Sequence, residues 1–105
     1  MHFSGLLLAF IMVSGPLWAQ DIIGHVQRGD SLLAKGQNQQ ALLEYEKARK
    51  VGAGSALFLN RLAGLYMQNE AYVKAAKSLQ ASLAEDPKQL PVYSALGEAH
   101  LATGK

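Results

Sequence analysis

The fold of this chain is decided by residues 56–89, which read ALFLNRLAGLYMQNEAYVKAAKSLQASLAEDPKQ. Two segments of this stretch place apolar or small residues at the three- and four-residue spacing of an amphipathic helix. The first helix is predicted over residues 56–68, with Ser55 as its N-cap, and the second over residues 72–85. Pro87 predicts the end of the second helix, because proline lacks the N–H that the next helical hydrogen bond needs. The stretch therefore predicts a pair of helices joined by a short turn.

The same pattern recurs every 34 residues on both sides of this stretch. A shift of 34 residues aligns the small residues Gly29, Ala63 and Gly97, and it aligns Ala41 with Ala75. Small residues at these positions let two helices of a unit cross at about 8–9 Å. Further helices are predicted over residues 22–35, 38–50 and 90–103. The sequence thus predicts an all-α array of two and a half units, which span residues 22–55, 56–89 and 90–105.

The repeated residues resemble the tetratricopeptide repeat, whose pattern is Trp-x2-Leu-Gly-x2-Tyr, then Ala-x3-Phe, then Pro. The second unit matches with Leu59, Leu62, Ala63, Tyr66, Ala75, Leu79 and Pro87. The third unit matches with Tyr93, Leu96, Gly97 and His100. The first unit departs most, with His25 at the usual Trp and Arg28 at the usual Leu, as is common in an end repeat. The resemblance covers residues 22–105 and implies an α-solenoid.

The resemblance also implies a concave groove that is lined by the first helix of each unit and binds a peptide or a protein segment. The groove residues implied by the family's pattern are Val26, Gln27, Asp30, Leu33, Asn60, Arg61, Gly64, Met67, Gln68 and Glu98. The same face also carries Ile23, Leu57, Ser94 and Leu101. In this groove Asn60 would clamp a peptide backbone and Arg61 would hold a carboxylate. The alternative is that these side chains only solvate the inner surface.

Composition and spacing argue against catalysis, metals, cofactors and nucleic acid. The chain has no cysteine, and a formal charge of +2 spread along the sequence forms no basic block for nucleic acid. The histidines His25 and His100 have no closed ligand set around them, so they are interpreted as ordinary residues of a helix face. The charged run in residues 44–50 is interpreted as a solvated face with Glu44–Lys47 and Glu46–Lys50 pairs. No enzyme activity and no cofactor are predicted.

The N-terminal residues 1–19 are interpreted as a signal peptide. All 18 charged residues lie after residue 20, and an eight-residue apolar run, residues 6–13, is too short to span a bilayer. Gly15–Pro16 is expected to break the helix and leave an extended strip before a cleavage site between Ala19 and Gln20. The alternative is a retained membrane anchor.

The third unit contains a first helix and then ends at its turn, so its apolar residues lack the second helix that would cover them. We expect either a longer repeat array or self-association through this uncapped helix. The predicted function is a scaffold that binds a protein or a peptide, exported to the periplasm, the cell envelope or the medium. The rival interpretations are a membrane-anchored assembly factor and the interaction segment of a longer enzyme.

Overall fold

A computed structural model describes residues 16–104 of the chain, and this part folds into five consecutive α-helices. Their bounds are α1 Leu17–Ala34, α2 Asn38–Lys50, α3 Ala56–Gln68, α4 Tyr72–Glu85 and α5 Leu90–Ala102. The predicted bounds of α2, α3 and α4 are confirmed, and α5 ends one residue before the predicted Thr103. Ser55 caps α3 as predicted, because its hydroxyl accepts a hydrogen bond of 3.2 Å from the Phe58 N–H.

The helices pack as antiparallel pairs, α1 with α2 and α3 with α4, and α5 then packs on α4. The predicted close crossings are confirmed in both pairs, since Gly29, Ala41, Ala63 and Ala75 are all buried. The third unit differs from the other two at this position, because a Cβ placed on Gly97 would meet nothing within 4 Å.

Each first helix ends in the same turn, which places one residue of every unit in the left-handed region. These residues are Gly36, Glu70 and Gly104, with φ of 77°, 58° and 76°. In the first two turns the N–H groups that follow the helix return to its last carbonyls, as in a Schellman motif. Glycine adopts this conformation without a steric penalty, so Glu70 is the member of the set that carries strain.

Helix α1 begins five residues before the predicted start at Ile22. Pro16 is its extended N-cap residue, with φ −67° and ψ 144°, and Leu17 begins the first helical turn. The predicted extended strip before Ala19 is therefore wrong, because residues 17–19 form the first turn of α1, and the missing N–H of Pro16 lies before that turn, where the helix makes no use of it. Leu17 and Trp18 on this turn are exposed. The rest of the predicted signal peptide, residues 1–15, lies outside the described residues.

Within residues 16–104, no helix combines the length and the apolar character that a transmembrane segment needs.

Candidate functional site

Helices α1 and α3 are the first helices of the two full units, and an apolar hollow of about 330 Å³ lies between them. We call it the apolar hollow, and its walls are Ile22, Ile23, Val26, Gln27, Ala53, Ser55, Leu57, Phe58 and Arg61. Ile23 is 54% exposed and Leu57 is 65% exposed, although both side chains are aliphatic. Large apolar side chains that remain open to solvent in a concave surface are a common feature of binding sites.

A second hollow of about 340 Å³ lies further along the same two helices. We call it the polar hollow, and it is lined by Asp30, Leu33, Tyr45, Arg61, Gly64, Leu65 and Gln68. Arg61 lines both hollows, so the two form one groove that is divided at this side chain. Seven of the ten residues implied by the family's pattern line this groove: Val26, Gln27, Asp30, Leu33, Arg61, Gly64 and Gln68.

The charged groups of the groove are already paired with one another. The Arg61 guanidinium Nη1 lies 3.6 Å from Asp30 Oδ1, and both side chains are about half exposed. The hydroxyl of the buried Tyr45 donates a hydrogen bond to the same carboxylate oxygen. Burial and this hydrogen bond raise the pKa of Tyr45 to about 12. A ligand carboxylate that reaches Arg61 would therefore compete with Asp30.

Asn60, the predicted backbone clamp, uses both ends of its amide inside the protein. Its Nδ2 group donates to Gln89 Oε1 at 2.7 Å, and its Oδ1 accepts from the hydroxyl of Ser82 at 2.6 Å. Ser82 is fully buried, so its hydroxyl needs such a partner. This network joins α3 and α4 to the segment before α5, and Asn60 is thus a structural residue in this conformation.

Met67 and Glu98 are the other two implied residues that line neither hollow. Met67 is half-buried and packs against the core that surrounds Leu62 and Leu65. Glu98 is exposed on α5, away from the α1–α3 groove. The groove residues that the sequence did not indicate include Ile22, Phe58, Tyr45 and Leu65. They do not stand at the positions that the family's pattern implies for the groove, and only the packed helices show which edge of each side chain faces it.

A charged cluster between α1 and α2 corrects the interpretation of the charged run as a solvated face. Glu44 is only 15% exposed and lies 3.0 Å from His25 Nδ1, 3.4 Å from Arg28 Nε and 3.7 Å from Lys47 Nζ. The predicted pair with Lys47 is confirmed. The hydrogen bond from His25 and the nearby cations hold the pKa of Glu44 below its usual 4.5, although burial opposes them. His25 and Glu44 therefore join two helices.

Glu46 was predicted to pair with Lys50, and instead it accepts a hydrogen bond of 2.8 Å from the hydroxyl of Tyr66. This bond links α2 to α3. Burial and the bond to Glu46 raise the pKa of Tyr66.

In the part of the chain that the structure describes, the acidic and histidine side chains form no group of three or more that could hold a metal ion.

The comparisons with known proteins agree with this geometry. The model of the tetratricopeptide repeat family matches residues 32–97, which is more than half of the chain. An NMR structure of the second tetratricopeptide repeat domain of the human RPAP3 protein, in complex with the HSP70 peptide SGPTIEEVD, is similar in fold. Its TM-score is 0.69 at 20% identity, over 83% of this chain and 72% of that one. The curated protein sequences contain no match. With the matched residues, the paired helices and the 34-residue period, the chain belongs to the tetratricopeptide repeat family.

Proposed function

We propose that this chain is a non-catalytic scaffold that binds a peptide or an extended protein segment in the groove between α1 and α3. The observation that carries the proposal is the apolar hollow, where Ile23 and Leu57 expose aliphatic surface beside the Arg61 guanidinium. An apolar side chain of the ligand would fill this hollow. An acidic group next to it would reach Arg61 and replace Asp30 as its partner. The similar human domain was solved with a bound peptide, which supports the same use of the fold.

Peptide display against residues 20–105 tests this proposal. Peptides selected on the wild-type protein are expected to carry an apolar residue next to an acidic one. Leu57→Glu should abolish their binding, because it places a charge in the apolar hollow. Leu43→Glu is the matched control, since Leu43 is 58% exposed and lies on α2 outside both hollows. Peptides that bind both variants equally well would contradict the proposal.

We also propose that the chain is exported, with cleavage after Ala19 and release into the periplasm, the cell envelope or the medium. The support is the uncharged, apolar N-terminus of the sequence. N-terminal sequencing of exported material should begin with Gln20, Asp21 and Ile22. Material that retains Met1 in a membrane fraction would favour the membrane-anchored assembly factor. The exposed Leu17 and Trp18 at the start of α1 suit that second candidate, because they would lie next to the bilayer.

A further inference from the structure

Helices α2, α3 and α4 line a further hollow of about 160 Å³, and it shares no residue with the groove between α1 and α3. We call it the basic hollow. Two lysines, an arginine and a serine line it together with two buried residues of α3: Lys74, Lys77, Arg49, Ser78, Leu62 and Tyr66. The arginine comes from α2 and the lysines from α4, so the cations meet only because the two helix pairs pack side by side.

The three cations of the basic hollow have no carboxylate partner within residues 16–104, where the ion pairs use other cations. Lys74 and Lys77 stand three residues apart on α4, so they are neighbours on one side of the helix. Two like charges at this spacing repel each other and destabilise the helix slightly. An anion bound between them would remove this repulsion.

Two of the three cations are already held in place by the protein. Arg49 Nη1 donates a hydrogen bond of 2.9 Å to the backbone carbonyl oxygen of Ala53. Lys74 Nζ lies 5.9 Å from the centroid of the Tyr66 ring, which is within the range of a cation–π interaction. A guanidinium carries five N–H donors, so Arg49 keeps donors for a ligand. Side chains that are positioned in advance lose less conformational entropy when a ligand binds.

Ser78 supplies a neutral donor at the same place. The residue is only 8% exposed, yet none of the hydrogen bonds found within residues 16–104 uses its hydroxyl. In this part of the chain no side-chain oxygen or nitrogen is sealed from solvent without a hydrogen-bond partner. The hydroxyl of Ser78 must therefore reach solvent through the hollow that it lines. A nearly buried hydroxyl that opens into a cavity is a group that an oxygen of a ligand would satisfy.

The charge and the donors of the basic hollow indicate the kind of anion. Glu46 adjoins the hollow, since it accepts a hydrogen bond of 2.8 Å from the hydroxyl of Tyr66. Set against the three cations, this carboxylate leaves two positive charges in excess, which matches a phosphate monoester with its charge of about −1.5 to −2 at neutral pH. The terminal oxygens of a phosphate accept from several directions at once, whereas a carboxylate offers two oxygens in one plane.

We propose that the basic hollow binds a phosphate dianion, either inorganic phosphate or the terminal phosphate of a small phosphomonoester. The three cations bind the phosphate oxygens, and the hydroxyl of Ser78 donates to one of them. This site is separate from the groove between α1 and α3, and it does not depend on a peptide ligand there.

Inorganic phosphate titrated into the 15N-labelled chain at constant ionic strength tests the proposal. NMR shifts should saturate and should centre on residues 49, 74, 77 and 78, whereas acetate should give no saturating shift there. Lys77→Gln should weaken phosphate binding at least about fivefold. Lys35→Gln removes the same charge from an exposed residue outside the hollow and should have little effect. Equal losses in the two variants, or shifts spread over all exposed lysines, would show general attraction of anions and would overturn the proposal.

The hydroxyl of Ser78 has its own test, because general attraction to lysines would not involve it. Ser78→Ala should weaken phosphate binding by about threefold or more. Ser31→Ala, an exposed change on α1, is the matched control. A Ser78→Ala protein that binds phosphate as tightly as the wild type, with the rest of its spectrum unchanged, would contradict a built site.

The charge and the source of the phosphate are separated by two further probes. Dimethyl phosphate carries one negative charge and should bind at least about fivefold more weakly than glycerol phosphate, which is a monoester. Equal binding of the two would overturn the proposed dianion. Tighter binding of glycerol phosphate than of inorganic phosphate would assign the site to a phosphomonoester, and the opposite order would assign it to free phosphate. The absence of a saturating shift with every phosphate probe would overturn the proposal.

Discussion

The aromatic ring of Tyr45 occupies the space that a side chain at residue 29 would need. A Cβ placed on Gly29 would lie 2.6 Å from Cε1 and 2.7 Å from Cδ1 of Tyr45. Because Tyr45 is fully buried and its hydroxyl is bound to Asp30, the ring cannot move aside without breaking that bond. Residue 29 must therefore be glycine, because the ring of Tyr45 on α2 packs directly against its backbone.

Gly29→Ala should destabilise the protein by about 1–3 kcal/mol through overpacking, despite the better helix propensity of alanine. Gly64→Ala is the matched control, since Gly64 also lies within a helix and its Cβ would meet nothing within 4 Å. That change should stabilise the protein by about 0.5–1 kcal/mol. Urea unfolding of the two variants measures both effects. A Gly29→Ala protein as stable as the wild type would show that the ring has another position.

Ala75→Leu should cost on the order of 1–3 kcal/mol, because Ala75 is fully buried where α4 crosses α3. Ala84→Leu provides the comparison, since Ala84 is exposed near the end of the same helix. It should change the free energy of unfolding by less than about 0.5 kcal/mol. Equal losses at the two sites would contradict the assigned repeat register.

Glu70→Gly should raise the free energy of unfolding by about 0.5–1 kcal/mol, because glycine adopts a φ of 58° without steric strain. The other two repeats already carry glycine at this position, Gly36 and Gly104. Glu70→Ala removes the same charge and keeps the strain, so it should give no gain. Thermal and urea unfolding of both variants provide the measurement. If the two substitutions are equally stabilising, the loss of charge and not the backbone is responsible.

Acid should weaken the link between α1 and α2. The pKa of Glu44 is lowered in the folded protein from its usual 4.5, so its ionised form contributes stability above about pH 4.5. This contribution is lost as the pH falls through the lowered value, where the carboxylate takes up a proton. Glu44→Gln should therefore cost about 1 kcal/mol at neutral pH and less at pH 3, which lies below the usual pKa of 4.5.

The control for this effect is Glu85→Gln, an exposed change that should have a small effect at both pH values. Urea unfolding of the three proteins at the two pH values gives the comparison. A Glu44→Gln deficit that is as large at pH 3 as at pH 7 would show that the His25–Glu44 pair does not stabilise the fold through its charge.

Much of the fold could be predicted from the sequence, because the helices are amphipathic and their ends carry local signals. The helix ends are marked by the Ser55 N-cap, the Gly36 and Gly52 turns and Pro87. Each of these signals depends only on residues close to it in sequence, so it marks a helix end whatever the helix packs against. The sequence did not predict the early start of α1, because residues 17–21 extend this helix without the pattern of core-facing side chains that predicts a helix.

Less of the candidate site could be predicted, because a groove depends on where side chains point after the helices pack. The repeat position predicted Arg61 and Asp30 for the groove, and both line the polar hollow, but their pairing with each other appeared only in the structure. Asn60 has the same kind of repeat position, yet Ser82 and Gln89, which lie 22 and 29 residues away in sequence, engage its amide. A polar group's partner is set by such long-range neighbours and not by its own helix.

The sequence by itself determined the helix pairs, the 34-residue period and the small residues at the crossings, since these follow from local propensity and from volume at repeated positions. Only the tertiary structure decided which charged and polar side chains are free to meet a ligand. Glu44 and Glu46 look equally solvated along α2, but His25 and Tyr66 from two different helices reach them. Hydrogen bonds and ion pairs act over about 3–4 Å, so they depend on the exact approach of helices that the periodic pattern leaves open.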